Sequence, residues 1–123
     1  MIDYKFIIRG HGEGKTKQLV DCLMNSIMED KLCVYVGSYY GYVNVKNIYE
    51  AITHEVCPLV FIDSDDKIKD RVNASGVDLF TDELTSEIGH ILISSLGNMV
   101  TSKWASKFEN TRWFITLDSS FVI

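Results

Sequence analysis

The stretch "RGHGEGKT" (Arg9–Thr16) carries three glycines in alternation and ends in Gly14-Lys15-Thr16. Residues of these types in this order suit a polyphosphate. Glycines let consecutive backbone N–H groups curl around phosphate oxygens. A helix that starts at the last glycine adds the partial positive charge of its N-terminus. The Lys15 ammonium is placed to neutralise β- and γ-phosphates and the Thr16 hydroxyl to ligate Mg²⁺. The expected chemistry is binding of a nucleoside triphosphate, ATP or another, by Gly10, Gly12, Gly14, Lys15 and Thr16, with Mg²⁺ as cofactor and Lys15 also acting in catalysis. A glycine-rich turn kept only for tight packing is the alternative. It would not need Lys-Thr directly after the last glycine.

A phosphate loop needs acids at a strand end: an aspartate for the metal and a neighbouring carboxylate to polarise the attacking water. "VDLFTDEL" ends in Asp82-Glu83, with Asp82 as metal-side residue and Glu83 as general base. The competing reading is an ordinary helix start, where acids favour the first turn. "LVFID" ends in Asp63, a second candidate for the metal side. The last apolar run, "RWFITLDSS", offers Thr116, Asp118 and Ser119 as polar residues to sense the γ-phosphate or hold the water.

These residues have to be brought together by the elements between them. "YKFIIR" (4–9) is short, apolar and aromatic or β-branched and reads as a buried strand ending at the glycines. From Lys15 to about Glu29, Leu19, Val20, Leu23, Met24, Ile27 and Met28 recur at spacings of three and four, the mark of a helix with one buried face. "LCVYVGS" (32–38) is a second strand and "GSYYGY" an aromatic loop. "VNVKNIYEAITHE" (43–55) is a second helix with Asn44 as its cap. "PLVFIDSDD" (58–66) is a third apolar run. "KIKDRVNASG" is a polar loop or short helix, and "VDLFTDE" (77–83) a further strand. Residues 86–108 carry a helical pattern, bent at Gly97, and 112–120 form the last strand. Strands alternating with helices, several of them nearly continuous apolar runs, predict an α/β fold with a largely parallel sheet covered on both faces.

The chain has 123 residues, 46% of them hydrophobic, which suits one domain over 1–123 with a real core. Its net charge is −5, with 12 Lys and Arg against 17 Asp and Glu, so charge does not support a nucleic-acid partner. Cys22, Cys33 and Cys57 form no C-x-x-C pair, and His11, His54 and His90 show no ligand spacing; buried thiols in a reducing compartment are expected. No apolar run is long enough to cross a membrane, and "MIDYKFIIRG" meets glycines too early for a signal peptide. A soluble, cytoplasmic protein is expected.

"GHGEGKT" resembles the G-x-x-G-x-G-K-T variant of the phosphate loop found in AAA-type and helicase-like ATPases, and "FTDEL" resembles their Asp-Glu strand end. The chain thus looks like a minimal P-loop NTPase of the Asp-Glu (RecA/helicase-like) division. Its layout is similar to that of large terminase ATPases of tailed phages and of thymidine kinases, without the nuclease domain of the first or the cysteine-bearing zinc lasso of the second. The resemblance implies a three-layer P-loop fold with about five strands, in which "RWFITLDSS" is inserted between "YKFIIR" and "VDLFTDE", parallel to both. It also implies ATP hydrolysis with Mg²⁺, host-cytoplasmic if phage-encoded. The pattern departs from the general form at Arg9, where a glycine is usual, so Gly10 must take over the turn. Glu13 brings a carboxylate into the loop. Arg9 motivates the alternative of an interaction or regulatory protein that keeps the fold and has lost turnover. A nucleoside or nucleotide kinase is a further alternative, poorly served by three arginines in all. Arg71 or Arg112 could act as a finger across a homo-oligomer interface, or be surface charges. Tyr39, Tyr40 and Tyr42 could stack a base, or pack a loop.

Overall fold

The computed structural model describes residues 3–10, 12–61, 76–84 and 111–119. Five strands and two helices follow one another: β1 (Asp3–Arg9), α1 (Lys15–Met28), β2 (Leu32–Tyr35), α2 (Tyr39–Thr53), β3 (Val60–Phe61), β4 (Val77–Thr81) and β5 (Arg112–Asp118). They build an α/β unit around one sheet of order β1-β5-β4-β2-β3. Every pairing is parallel. The last strand therefore lies between the first and the fourth, as expected from the sequence. The helical pattern over 86–108, the polar stretch after β3, His11, Asp63 and Arg71 lie outside the described residues.

The apolar runs explain why the inner strands of this sheet are buried on both faces; β1, expected to be a buried strand, is instead an edge strand exposed from Asp3 to Phe6, with only Ile7 in the core. On one face Leu19, Val20 and Leu23 of α1 and Val45 and Tyr49 of α2 pack on Ile7, Cys33, Tyr35, Phe80 and Phe114. On the other, Leu32, Val34, Val36, Val77, Leu79, Trp113 and Ile115 form a second buried cluster. All five residues of β4 are buried, which accounts for its apolar run: a strand covered on both sides has no solvent side on which to alternate. The thiols follow the same logic. Cys33 and Cys57 are buried and Cys22 is half-buried. Burial raises the pKa of all three, that of Cys33 to about 12, so they stay protonated and unreactive.

The second helix starts four residues earlier than its periodicity suggested. Ser38 caps it, accepting a hydrogen bond from Gly41 N at 3.1 Å. The tyrosines expected in a loop are thus its first turn, and Asn44 sits inside the helix rather than at its cap. Tyr42 donates to the Leu59 carbonyl at 3.1 Å. The rings of Tyr39 and Tyr42 both pack against Phe61. That aromatic cluster pins the turn to the strands beside it.

At the N-terminal end of the sheet, Arg112 makes a two-pronged contact with the fully buried Asp78, 3.0 Å from Nε to Oδ1 and 2.6 Å from Nη2 to Oδ2, and a third contact with Glu29 at 2.7 Å. The guanidinium considered for a finger role is committed to these carboxylates. Breaking a buried ion pair from one side leaves the other charge uncompensated. The Arg112 side chain is 34% exposed, so the loss falls below the fully buried case. Arg112→Ala is expected to destabilise the protein by about 2 kcal/mol, read as a lower urea midpoint at unchanged slope. A wild-type midpoint would show the pair to be energetically idle.

Candidate functional site

Parallel strands send all their carboxyl ends to one edge of the sheet, the edge where ligands of such folds sit. The register decides what meets there. Arg9 is level with Asp118 and Thr81 with Ile115, so Asp82 falls beside Thr116. This edge gathers the glycine loop after β1, Asp82 and Glu83 after β4, and the last residues of β5.

The loop opens with Gly10, whose carbonyl accepts from Glu13 N at 3.1 Å. Gly12 and Gly14 are left-handed, with φ of 77° and 82°. A Cβ at either would meet nothing within 4 Å. The glycines are needed for their backbone angles, not for space. Gly14 caps α1 with no side-chain hydrogen bond, and the first turn of α1 carries no acid. The positive end of that helix is therefore left without a carboxylate of its own, and, unlike α2 with its Ser38 hydroxyl, without a side-chain cap. Arg9, standing where a glycine is usual, turns its guanidinium back to the Ile8 carbonyl at 2.7 Å. The side chain runs along the strand end, and the turn begins at Gly10. Glu13 is exposed, and its carboxylate lies against Gly10.

Lys15 is 5% exposed. Its Nζ lies 3.5 Å from the Gly10 carbonyl and 3.9 Å from Asp118 Oδ2, so the ammonium bridges the loop and the end of β5. Thr16 Oγ1 donates to Asp82 Oδ2 at 2.8 Å and Thr116 Oγ1 donates to Asp82 Oδ1 at 2.6 Å. Both oxygens of Asp82 are held by hydroxyls from different elements. Thr116 also accepts from Glu83 N, and its carbonyl accepts from Leu84 N at 3.0 Å. One threonine thus ties down the whole Asp-Glu turn. Glu83 is exposed and has φ of 56°, a left-handed conformation unusual for a residue with a long side chain. Uncommon backbone angles held by surrounding bonds occur disproportionately at functional sites.

A cleft of about 530 Å³ opens beside these acids, lined by Thr16, Ser38, Tyr40, Gly41, Asn44, Asp82 and Glu83. Its far wall is the first turn of α2. Of the three tyrosines, Tyr39 and Tyr42 are engaged in packing, and Tyr40, 88% exposed, lines the cleft.

Gly10, Gly12, Gly14, Lys15, Thr16, Asp82, Glu83, Thr116 and Asp118, all singled out from the sequence, share this edge. Arg112 sits at the other end of β5. Six residue steps of strand put it about 20 Å from Asp118. Sequence reading missed Ser38, Gly41 and Tyr35. Tyr35 is buried at the end of β2, and its hydroxyl accepts from Asp82 N at 3.4 Å. Burial is the main reason its pKa is pushed up to about 12, so the phenol stays protonated under ordinary conditions. The available signal was a tyrosine at a strand end with glycines two and six residues on. No helix among the described residues is long and apolar enough to cross a membrane. No family model, curated protein or solved structure matches the chain.

Proposed function

We propose that this chain is a P-loop nucleoside triphosphatase of the Asp-Glu division, which binds ATP with Mg²⁺ and hydrolyses the terminal phosphate. The observation that carries this reading is the 2.8 Å contact between Thr16 Oγ1 and Asp82 Oδ2, residues 66 positions apart, in a sheet where β5 separates β1 from β4. A helix start rich in acids would not require that contact, and a glycine turn kept for packing would not require Lys15 to bridge it to Asp118.

The residues present fit Mg²⁺. The ion takes oxygen ligands, keeps several waters and draws the rest from substrate phosphates, so one hydroxyl and one carboxylate are the share a protein usually supplies. Thr16 and Asp82 would hold it. Bound there, it would supply charge neutralisation on the β- and γ-phosphates. The N–H groups of residues 12–16 would bind the phosphate oxygens, with Lys15 turning its ammonium from the Gly10 carbonyl toward them. The Glu83 carboxylate would accept a proton from the water that attacks the γ-phosphorus, while the bond to the leaving ADP oxygen breaks. Thr116 would keep Glu83 and Asp82 in fixed relation during this step. The Arg9 guanidinium bonds the Ile8 carbonyl, which is compatible with phosphate binding by the loop that begins at Gly10.

Titration calorimetry of ATP with and without Mg²⁺, followed by a phosphate-release assay, tests the reading. Saturable binding strengthened by Mg²⁺ and continuous phosphate release are expected. No heat at millimolar nucleotide would refute it. Binding without release would favour the nucleotide-gated interaction protein, and release that depends on an added nucleoside or nucleotide would favour the kinase.

A further inference from the structure

We infer that Tyr35 is a positioning residue for the acidic pair Asp82–Glu83: its hydroxyl, seated against Gly41 in the first turn of α2, holds the Asp82 amide at the end of β4. The role in turnover rests on the function proposed above; the role in holding the strand end does not.

Three observations converge on this hydroxyl. First, Tyr35 is fully buried. For packing alone phenylalanine would serve, because desolvating a phenol is unfavourable unless the hydroxyl is used. Its use is visible: Asp82 N donates to it at 3.4 Å. Second, Gly41 is the third residue of α2, a position where alanine or a longer straight side chain would favour the helix. A Cβ there would overlap the Tyr35 hydroxyl and lie 3.0 Å from Tyr35 Cζ. The local helix rule is broken at the one place where the hydroxyl needs room. Third, the far side of the bonded amide is the catalytic arrangement itself. Asp82 is gripped by Thr16 and Thr116, and the next residue, Glu83, holds a left-handed φ.

The threonines act on the Asp82 side chain and the Glu83 amide. Tyr35 acts one atom group earlier, on the Asp82 amide itself. Without it the turn from β4 into Glu83 loses a fixed point on the side of α2, and Glu83 can relax from its unfavourable angle. The same contact joins the cleft wall formed by Ser38, Tyr40 and Asn44 to the acids on the opposite wall.

Tyr35→Phe, Gly41→Ala and the double variant test this. In Tyr35→Phe, kcat for ATP hydrolysis with Mg²⁺ is expected to fall about three- to tenfold, the worth of one neutral hydrogen bond, with KM unchanged. Amide exchange at Asp82 and Glu83 should quicken by a similar factor, while Leu79 and Phe80 keep their protection. Gly41→Ala should lower kcat in the same way, by pushing the ring away. The double variant should be no worse than Tyr35→Phe, because removing the hydroxyl makes room for the added methyl. A merely structural tyrosine would lower the melting temperature and leave kcat of the folded protein untouched. Where turnover is measurable, wild-type kcat in Tyr35→Phe overturns the inference. If the unaltered chain releases no phosphate, the proposed hydrolysis fails on its own account. The exchange rates then decide: faster exchange at Asp82 sustains the positioning role, and wild-type exchange overturns it.

Discussion

Lys15→Ala is expected to abolish the rise in melting temperature that ATP with Mg²⁺ produces, while the unliganded protein stays folded. The two halves of this result have different causes. Lys15 is buried against the loop, but its polar partners lie at 3.5 and 3.9 Å, the long end of useful contact. The carboxylate it would leave behind, on Asp118, is 36% exposed and keeps its water. The unliganded state therefore loses little. The bound state loses a cation at the point where a triphosphate concentrates its charge. Truncating one partner of such a desolvated pair costs about 4 kcal/mol, or about a thousandfold in affinity. At a nucleotide concentration of about 100 Kd the wild type gains about 2.7 kcal/mol by linkage, roughly 10 °C for a domain of this size. The variant at the same concentration gains almost nothing. Lys15→Arg should rescue poorly, because a planar fork does not replace a compact ammonium at the bottom of a tight loop. Equal shifts in wild type and Lys15→Ala would remove this loop from the account of binding.

Much of this site could be read in the sequence because its parts are local. The glycines, Lys15 and Thr16 form one continuous segment between a strand and a helix whose patterns are strong. Of the residues picked out by their spacing, Leu19, Val20 and Leu23 are fully buried and Met24 and Ile27 half-buried, whereas Met28, the last residue of α1, is 82% exposed because the helix ends there. Continuous apolar runs in β2 and β4 signalled a sheet covered on both faces, and parallel strands put their ends on one edge. Less was legible where a residue's role depends on its position along a strand. Asp78 and Asp82 are four residues apart, one near the start of β4 and one just past its end; the first is buried against Arg112 at the far end of the sheet and the second lies at the site. Composition cannot separate them, and the same strand geometry removed Arg112 from the functional edge. The start of α2 was misread because three tyrosines in four residues look like a loop. Ser38 supplied the cap and Phe61 the partner for their rings, the latter a contact made by tertiary packing. Tyr35 escaped for a related reason: its hydroxyl matters through a residue 47 positions away.

Glu83→Gln is expected to lower phosphate release by about 10²- to 10⁴-fold, the usual worth of a general base, with nucleotide affinity largely intact. Glutamine keeps the shape and an acceptor oxygen but cannot hold the proton taken from water, and the base acts on water rather than on the phosphate anchor. The backbone adds an independent expectation. Glu83 has φ of 56°, which costs a residue with a Cβ about 1 kcal/mol. Its side chain is exposed, so packing gives no reason for glutamate at this position. The turn is held against that cost by Glu83 N donating to Thr116 and Leu84 N donating to the Thr116 carbonyl. Asparagine tolerates the left-handed conformation far better. Glu83→Asn should therefore be as stable as the wild type or more stable, by up to about 1 kcal/mol, and should turn over as poorly as Glu83→Gln. Stability unchanged or gained, with turnover lost, is the signature of a residue kept for chemistry at the expense of the fold. Wild-type phosphate release in either variant would take the base role from Glu83, and Asp118, beside Lys15 on the same edge, would be the next carboxylate to test.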